Sequence, residues 1–90
     1  MEKLLKRSVS LHGVRVGVVV DVILDTVERR PIGFEVRCED GRHRFLPMAA
    51  ASPTDREIVI DSPFALLDTE QLEFYRAHGM PLGGRDESAA

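Results

Sequence analysis

The chain holds a single cysteine, Cys38, so no internal disulfide can staple its loops. It lacks tryptophan, and aromatic residues make up only 6% of it, too few for the stacking platforms that grip single-stranded nucleic acid. Basic excess is missing too. Twelve Lys and Arg stand against 15 Asp and Glu, a net charge of −3, whereas phosphate-binding domains are usually strongly basic. Nor is there a long apolar run. The longest, Val14 to Leu24, is broken by Arg15 and Asp21 and falls short of the roughly 20 residues a spanning helix requires. Residues 1–8 lack the apolar core of a secretion signal. A cytoplasmic protein with no membrane insertion is expected.

What remains is an ordinary globular composition. Ninety residues, 43% hydrophobic and 30% charged, suit one domain and leave no room for a second core. A chain this short buries only about 60–65% of its extended surface, and pairing with a second copy is a common remedy. The domain is expected over residues 1–80. The tail 81–90, with paired glycines followed by small and charged residues, reads as disordered.

Seven of the eleven residues from Val14 to Leu24 are β-branched, which favours a strand over a helix. Alternation places Val14, Val16, Val18, Val20, Val22 and Leu24 on a core face. Val19 and Ile23 then lie on the opposite face with Arg15 and Asp21, leaving apolar surface to be covered. Thr26 to Pro31 is a polar loop, and Ile32 to Glu39 alternates again. Asp40-Gly41 signals a two-residue hairpin, which would set Cys38 opposite His43, Arg37 opposite Arg44 and Val36 opposite Phe45. Pro47 closes that strand, Met48 to Pro53 connects with a helical turn, and Arg56 to Asp61 forms another strand with Ile58 and Ile60 inward. Residues 68–78 read as a helix, with Asp68 as N-cap, Gly79 as stop and an apolar side of Leu72, Phe74 and Tyr75.

The stretch from Val16-Gly17-Val18 through Asp21 to Asp25, a polar loop, and then Pro31-Ile32-Gly33-Phe34-Glu35-Val36 resembles the PRC-barrel domain. Leu5 to Val9 would be that family's short first strand, His12-Gly13 its first turn, Phe45-Leu46-Pro47 a strand ending in proline, and Glu57 to Asp61 the closing strand. The resemblance spans residues 4–61 and implies an all-β fold: a small, partly open barrel of about five or six antiparallel strands, filled by side chains. One C-terminal helix follows it. Family members include the cytoplasmic domain of the photosynthetic reaction-centre H subunit and the C-terminal domain of a ribosome maturation factor. These share an assembly role, and fold alone does not carry function between them.

No constellation in the sequence calls for catalysis, and no cofactor or metal is expected. Cys38 and His43 would be neighbours across the hairpin, yet nucleophilic chemistry also needs an orienting group and an oxyanion pocket, and zinc needs further ligands. Asp21 and Asp25 lie about 13 Å apart along one strand, too far for a shared proton or metal. Asp21 is expected to bond backbone or an arginine, and Asp25 to cap the next turn. Gly33 marks a close backbone approach or a bulge.

The expected function is a non-catalytic interaction or assembly module that self-associates, most simply as a homodimer, alongside an unidentified protein partner. Val19, Ile23, Leu72, Phe74 and Tyr75 are the candidate interface. The alternative is a ribosome- or RNA-processing-associated factor using a basic patch of Arg29, Arg30, Arg37, Arg42 and Arg44. Nucleic acid is the less expected partner, because Glu35 and Glu39 interleave with those arginines.

Overall fold

A computed structural model describes residues 4–82. The strands are β1 (Ser8–Leu11), β2 (Val14–Leu24), β3 (Pro31–Cys38), β4 (His43–Pro47), β5 (Ser52–Pro53), β6 (Glu57–Ile60) and β7 (Met80–Pro81), with helix α1 at Thr69–His78. The strands form one curled half-barrel sheet in the order β4-β3-β2-β1-β6-β5, and β7 joins the far end of β2. The all-β fold with a C-terminal helix is thus as expected. β1 and β6 run parallel and the other pairs antiparallel. Pro81, expected in the tail, belongs to the sheet: β7 pairs with Ile23 and Leu24. Residues 83–90 of that tail lie outside the described residues.

The turn His12-Gly13 joins β1 to β2 with φ of 50° and 82°, the doubly left-handed geometry of a two-residue hairpin. The first strand starts later than expected. Lys6, with φ of 68°, interrupts the extended run, although Lys6 N–H still donates to the Val19 carbonyl at 2.7 Å. Asp25 caps the β2–β3 turn as expected, its carboxylate accepting from Glu28 N–H at 2.8 Å and Val27 N–H at 3.3 Å.

The valine stripe of β2 does not stay on one face. Gly17 lies opposite Cys38 and Val19 opposite Val36, but Asp21 lies opposite Glu35 and Val22 opposite Phe34. One extra residue, Val20, is accommodated between them, and such a bulge exchanges the two faces from that point on. Val19 turns into the barrel before it, and Val22 and Leu24 after it. Val14 is exposed, and Val16, Val18 and Val20 are only half-buried. The expected continuous stripe is therefore broken at Val20, with Val19 inward before it and Val22 and Leu24 inward after it.

A second shift occurs at the β3–β4 hairpin. Gly41, with φ of 84°, donates its N–H to the Cys38 carbonyl at 2.9 Å, and Cys38 N–H donates to the Arg42 carbonyl at 2.8 Å. The loop holds three residues, 39–41, with glycine in the left-handed position, where two were expected. Val36 consequently faces Arg44, Arg37 faces His43, and Phe45 faces Glu35. That one-residue slip moves Phe45 out of the barrel interior to the outer face of the sheet.

The outer face is where α1 docks. Ile23, Phe45 and Leu72 form a buried cluster, with Ile32, Leu67 and Tyr75 around it. Tyr75 stacks on Phe45 with ring centres 4.2 Å apart and planes 10° from parallel. The barrel interior is a separate cluster of Val9, Val19, Val22, Leu24, Phe34, Val36, Cys38, Leu46, Ile58 and Ile60. Ile58 and Ile60 point inward as expected. Asp68 occupies the N-cap position, but its side chain makes no capping bond. Its carbonyl accepts from Leu72 N–H at 3.1 Å, and the Thr69 hydroxyl donates instead to the His43 carbonyl at 2.9 Å. The free edge of β4 is further closed by Leu67, which exchanges two backbone hydrogen bonds with Phe45. An edge so covered cannot template another strand.

Gly33 makes this two-layer arrangement possible. A β-carbon there would lie 2.3 Å from the Phe45 ring and 2.6 Å from the Leu46 carbonyl oxygen. Gly33→Ala is expected to destabilise the fold by about 1–3 kcal/mol, the range for overpacking, read as a lower urea midpoint with an unchanged slope.

Candidate functional site

Two places gather polar or exposed groups, one under the helix and one at the end of the barrel.

Beneath α1, the bulge at Val20 puts Asp21 beside Glu35 on the outer face, and both are more than nine-tenths buried. Two carboxylates so placed repel each other unless a cation reaches them. Arg76 does so, ion-paired to both Glu35 and Asp21. Asp21 also accepts from Val22 N–H at 2.8 Å, so backbone and arginine both satisfy it, as the sequence suggested. His43 holds the second oxygen of Glu35 through Nδ1. Among the described residues, every buried side-chain polar atom has a partner. This cluster ties the helix to the sheet. Its chemistry is that of a clamp, because its polar atoms are engaged with one another.

At the end of the barrel where β1, β3 and β6 finish, an open groove of about 560 Å³ runs over Leu11, Val16, Cys38, Ile60, Pro63 and Leu66. The partly open barrel is filled by side chains within, as expected, and this groove lies at its open end. The sheet is open, with β4 and β5 at its two edges, and Pro63 and Leu66 from the segment after β6 help to line this end. Four charged residues also line the groove: Arg15 with Glu39 at 3.2 Å, and Arg44 with Asp40 through two parallel hydrogen bonds of 3.1 and 2.9 Å. The Arg44 guanidinium, helped by Arg42 N–H, lowers the Asp40 carboxyl from its ordinary 3.8 to about 2. Hydrogen bonds to Asp40 and Cys38 push Arg44 upward in turn. Exposed apolar residues flank the groove in sequence: Val14, opposite Leu11, and Phe64, beside Pro63.

The candidate interface residues from the sequence are distributed differently from expectation. Val19 and Ile23 are fully buried, Val19 in the barrel and Ile23 under the helix. Leu72 is buried, and Tyr75 is spent on Phe45. Only Phe74 among the five is exposed, its ring against Tyr75 and His78. The apolar surface left over by the sheet is covered within the chain, because α1 folds back onto it.

The five arginines do not form one patch. Arg29 and Arg30 sit in the turn before β3, and Arg37, Arg42 and Arg44 lie at its other end, about 23 Å away by strand rise. Arg30 approaches Glu28, and Arg44 is engaged with Asp40. Cys38 and His43 are not brought together either. Cys38 belongs to the barrel interior and His43 to the outer face with Glu35, on opposite sides of the sheet. Among the described residues, no three His, Cys, Asp or Glu side chains gather as a metal would require.

The sequence reading missed Arg76 and Phe64. Arg76 was detectable, since it follows Leu72 by four positions and shares its face of the helix. Phe64, alone between a proline and an alanine, lies in no periodic pattern.

Comparison with protein families adds the remaining finding: the PRC-barrel domain model matches residues 9–67. The chain belongs to the PRC-barrel family. This family is generally non-enzymatic and serves as an interaction and assembly module. None of the curated proteins compared with this PRC-barrel chain matches it. Among the described residues, no helix of this PRC-barrel protein is long and apolar enough to cross a membrane.

Two tests follow from the charged groups. Arg76→Met leaves Asp21 and Glu35 facing each other under the helix and is expected to cost about 3 kcal/mol at neutral pH. Glu35→Gln in the same chain should recover much of that loss, as measured by urea unfolding. The Asp40–Arg44 pair acts on the pH axis. Asp40 is lowered in the folded protein, so the pair's stabilisation is fully present above the ordinary 3.8 and is lost as pH falls through about 2. Arg44→Ala should move the Asp40 titration midpoint upward toward 3.8, followed by carboxyl-carbon NMR.

Proposed function

We propose that this PRC-barrel chain is a non-catalytic assembly module that associates with a second copy of itself. The observation that carries this reading is the barrel end: an open apolar groove whose lining residues Arg15 and Pro63 have exposed Val14 and Phe64 as their neighbours in sequence. An apolar groove with a charged rim is the kind of surface that interaction sites use. The groove's own charges are already paired, so it offers a partner apolar burial and no free ion. Assembly also adds burial to a short chain whose own core is modest.

Light scattering after gel filtration over a dilution series tests the reading. A dimer mass at micromolar concentration, falling toward the monomer on dilution, is expected. A constant monomer mass at every concentration refutes it.

A further inference from the structure

We propose that a second pocket, at the bulge in β2, binds a small organic anion: a carboxylate or phosphate head on a short apolar body. The pocket holds about 350 Å³ and is lined by Leu5, Lys6, Val18, Val19, Val20 and Arg37. It shares no lining residue with the barrel-end groove. On one side of β2, Lys6 N–H donates to the Val19 carbonyl at 2.7 Å, and on the other Arg37 pairs with Val18. The two flanking backbones stand about 10 Å apart, two strand spacings. A lysine and an arginine side chain can span that gap to meet on one anion, over the apolar floor that the valines supply. Val20 is the extra residue of the bulge, and bulges are frequent beside binding sites.

The charge of the lining selects the ligand. It carries two cations and no carboxylate, in a chain whose net charge is −3. Other arginines are engaged within the chain: Arg15 with Glu39, Arg44 with Asp40, and Arg76 with Asp21 and Glu35. Among the described residues, Lys6 and Arg37 make no side-chain hydrogen bond or ion pair. Two like charges on one pocket repel each other, and an anion between them removes that repulsion. The planar guanidinium can take two oxygens of a carboxylate or phosphate, and the ammonium adds a point charge. Two cations are too few for a nucleic-acid backbone, whose affinity draws on many phosphate contacts. The volume sits at the small end of ligand clefts.

The backbone at Lys6 points the same way. Its φ of 68° lies in the left-handed region, where a glycine would sit without strain and a lysine does not. Three hydrogen bonds hold it there: the one from Lys6 to Val19, one from Val19 N–H to the Arg7 carbonyl at 2.8 Å, and one from Arg7 N–H to the Leu4 carbonyl at 3.4 Å. Strained positions fixed in this way cluster at ligand clamps. Here the strain sets a positive charge in the pocket wall.

The test titrates the full chain with sodium octanoate, octyl phosphate and uncharged octanol, followed by amide NMR. Saturable shifts are expected at Leu5, Lys6, Val18 to Val20 and Arg37 with octanoate, octyl phosphate or both, the tighter binder naming the head group. Octanol should give none. Lys6→Gly removes one cation while suiting the left-handed backbone, and Arg37→Gln removes the other at an exposed strand position. Each should weaken binding about tenfold or more, the loss of one charge-assisted hydrogen bond, and leave the rest of the amide spectrum in place. Arg29→Gln, in the turn at the other end of β3, should bind as the unaltered chain does. Octanol shifts that match those of the anions, anion binding that survives both substitutions, or no saturable shift up to the micelle-forming concentration overturns the assignment.

Discussion

Between Val19, opposite Val36, and Asp21, opposite Glu35, β2 carries one residue more than β3 does. The rest of the structure follows from how that residue is accommodated. Just before Val20, Val19 enters the barrel, and after it Val22 and Leu24 do, so Asp21 and Ile23 are turned outward together. An apolar residue and a carboxylate side by side on the outside of a sheet need different kinds of cover. Helix α1 supplies both from one face, with Leu72 for Ile23 and Arg76 for Asp21 and Glu35. The helix is therefore a second layer of the domain.

The same logic explains Phe45 and Gly33. The three-residue hairpin loop shifts β4 by one position, and Phe45 passes to the outer face, where its ring lies over the bare backbone of Gly33 and under Tyr75. Once this layer is in place, the edge of β4 is bonded to Leu67 and Thr69. The barrel interior and the outer layer are then both filled, and the large apolar side chains left exposed among the described residues are Val14 and Phe64 beside the barrel end, Val27 in a turn and Phe74 on α1.

Much of this fold was legible in the residues. The β-branched run of β2, the Asp25 cap, the inward Ile58 and Ile60, and the helix ending at Gly79 all rest on local physics, while the turn at His12-Gly13 came from the family resemblance. Each depends on a backbone preference or on alternation over a few residues, which neighbours in sequence are enough to specify. The family resemblance rested on the strand and turn pattern of residues 4–61, and the helix lies outside it. The candidate interface and basic patch were less legible, because exposure and clustering are properties of the assembled molecule. Val19 looks exposed by alternation and is buried, and Arg30 looks adjacent to Arg37 and is a strand length away.

By itself, then, the sequence determined the main strands β2, β3, β4 and β6 and the helix α1, whereas the short strands β5 and β7 and the start of β1 were not legible in it. Only the tertiary structure decided which side of that sheet each residue faces. The physical reason is that strand parity is a relative quantity. A single extra residue at Val20, or one more in the loop at Gly41, reverses it for everything downstream, and the energy that selects the reversal comes from packing against distant residues such as Leu72, Tyr75 and Arg76.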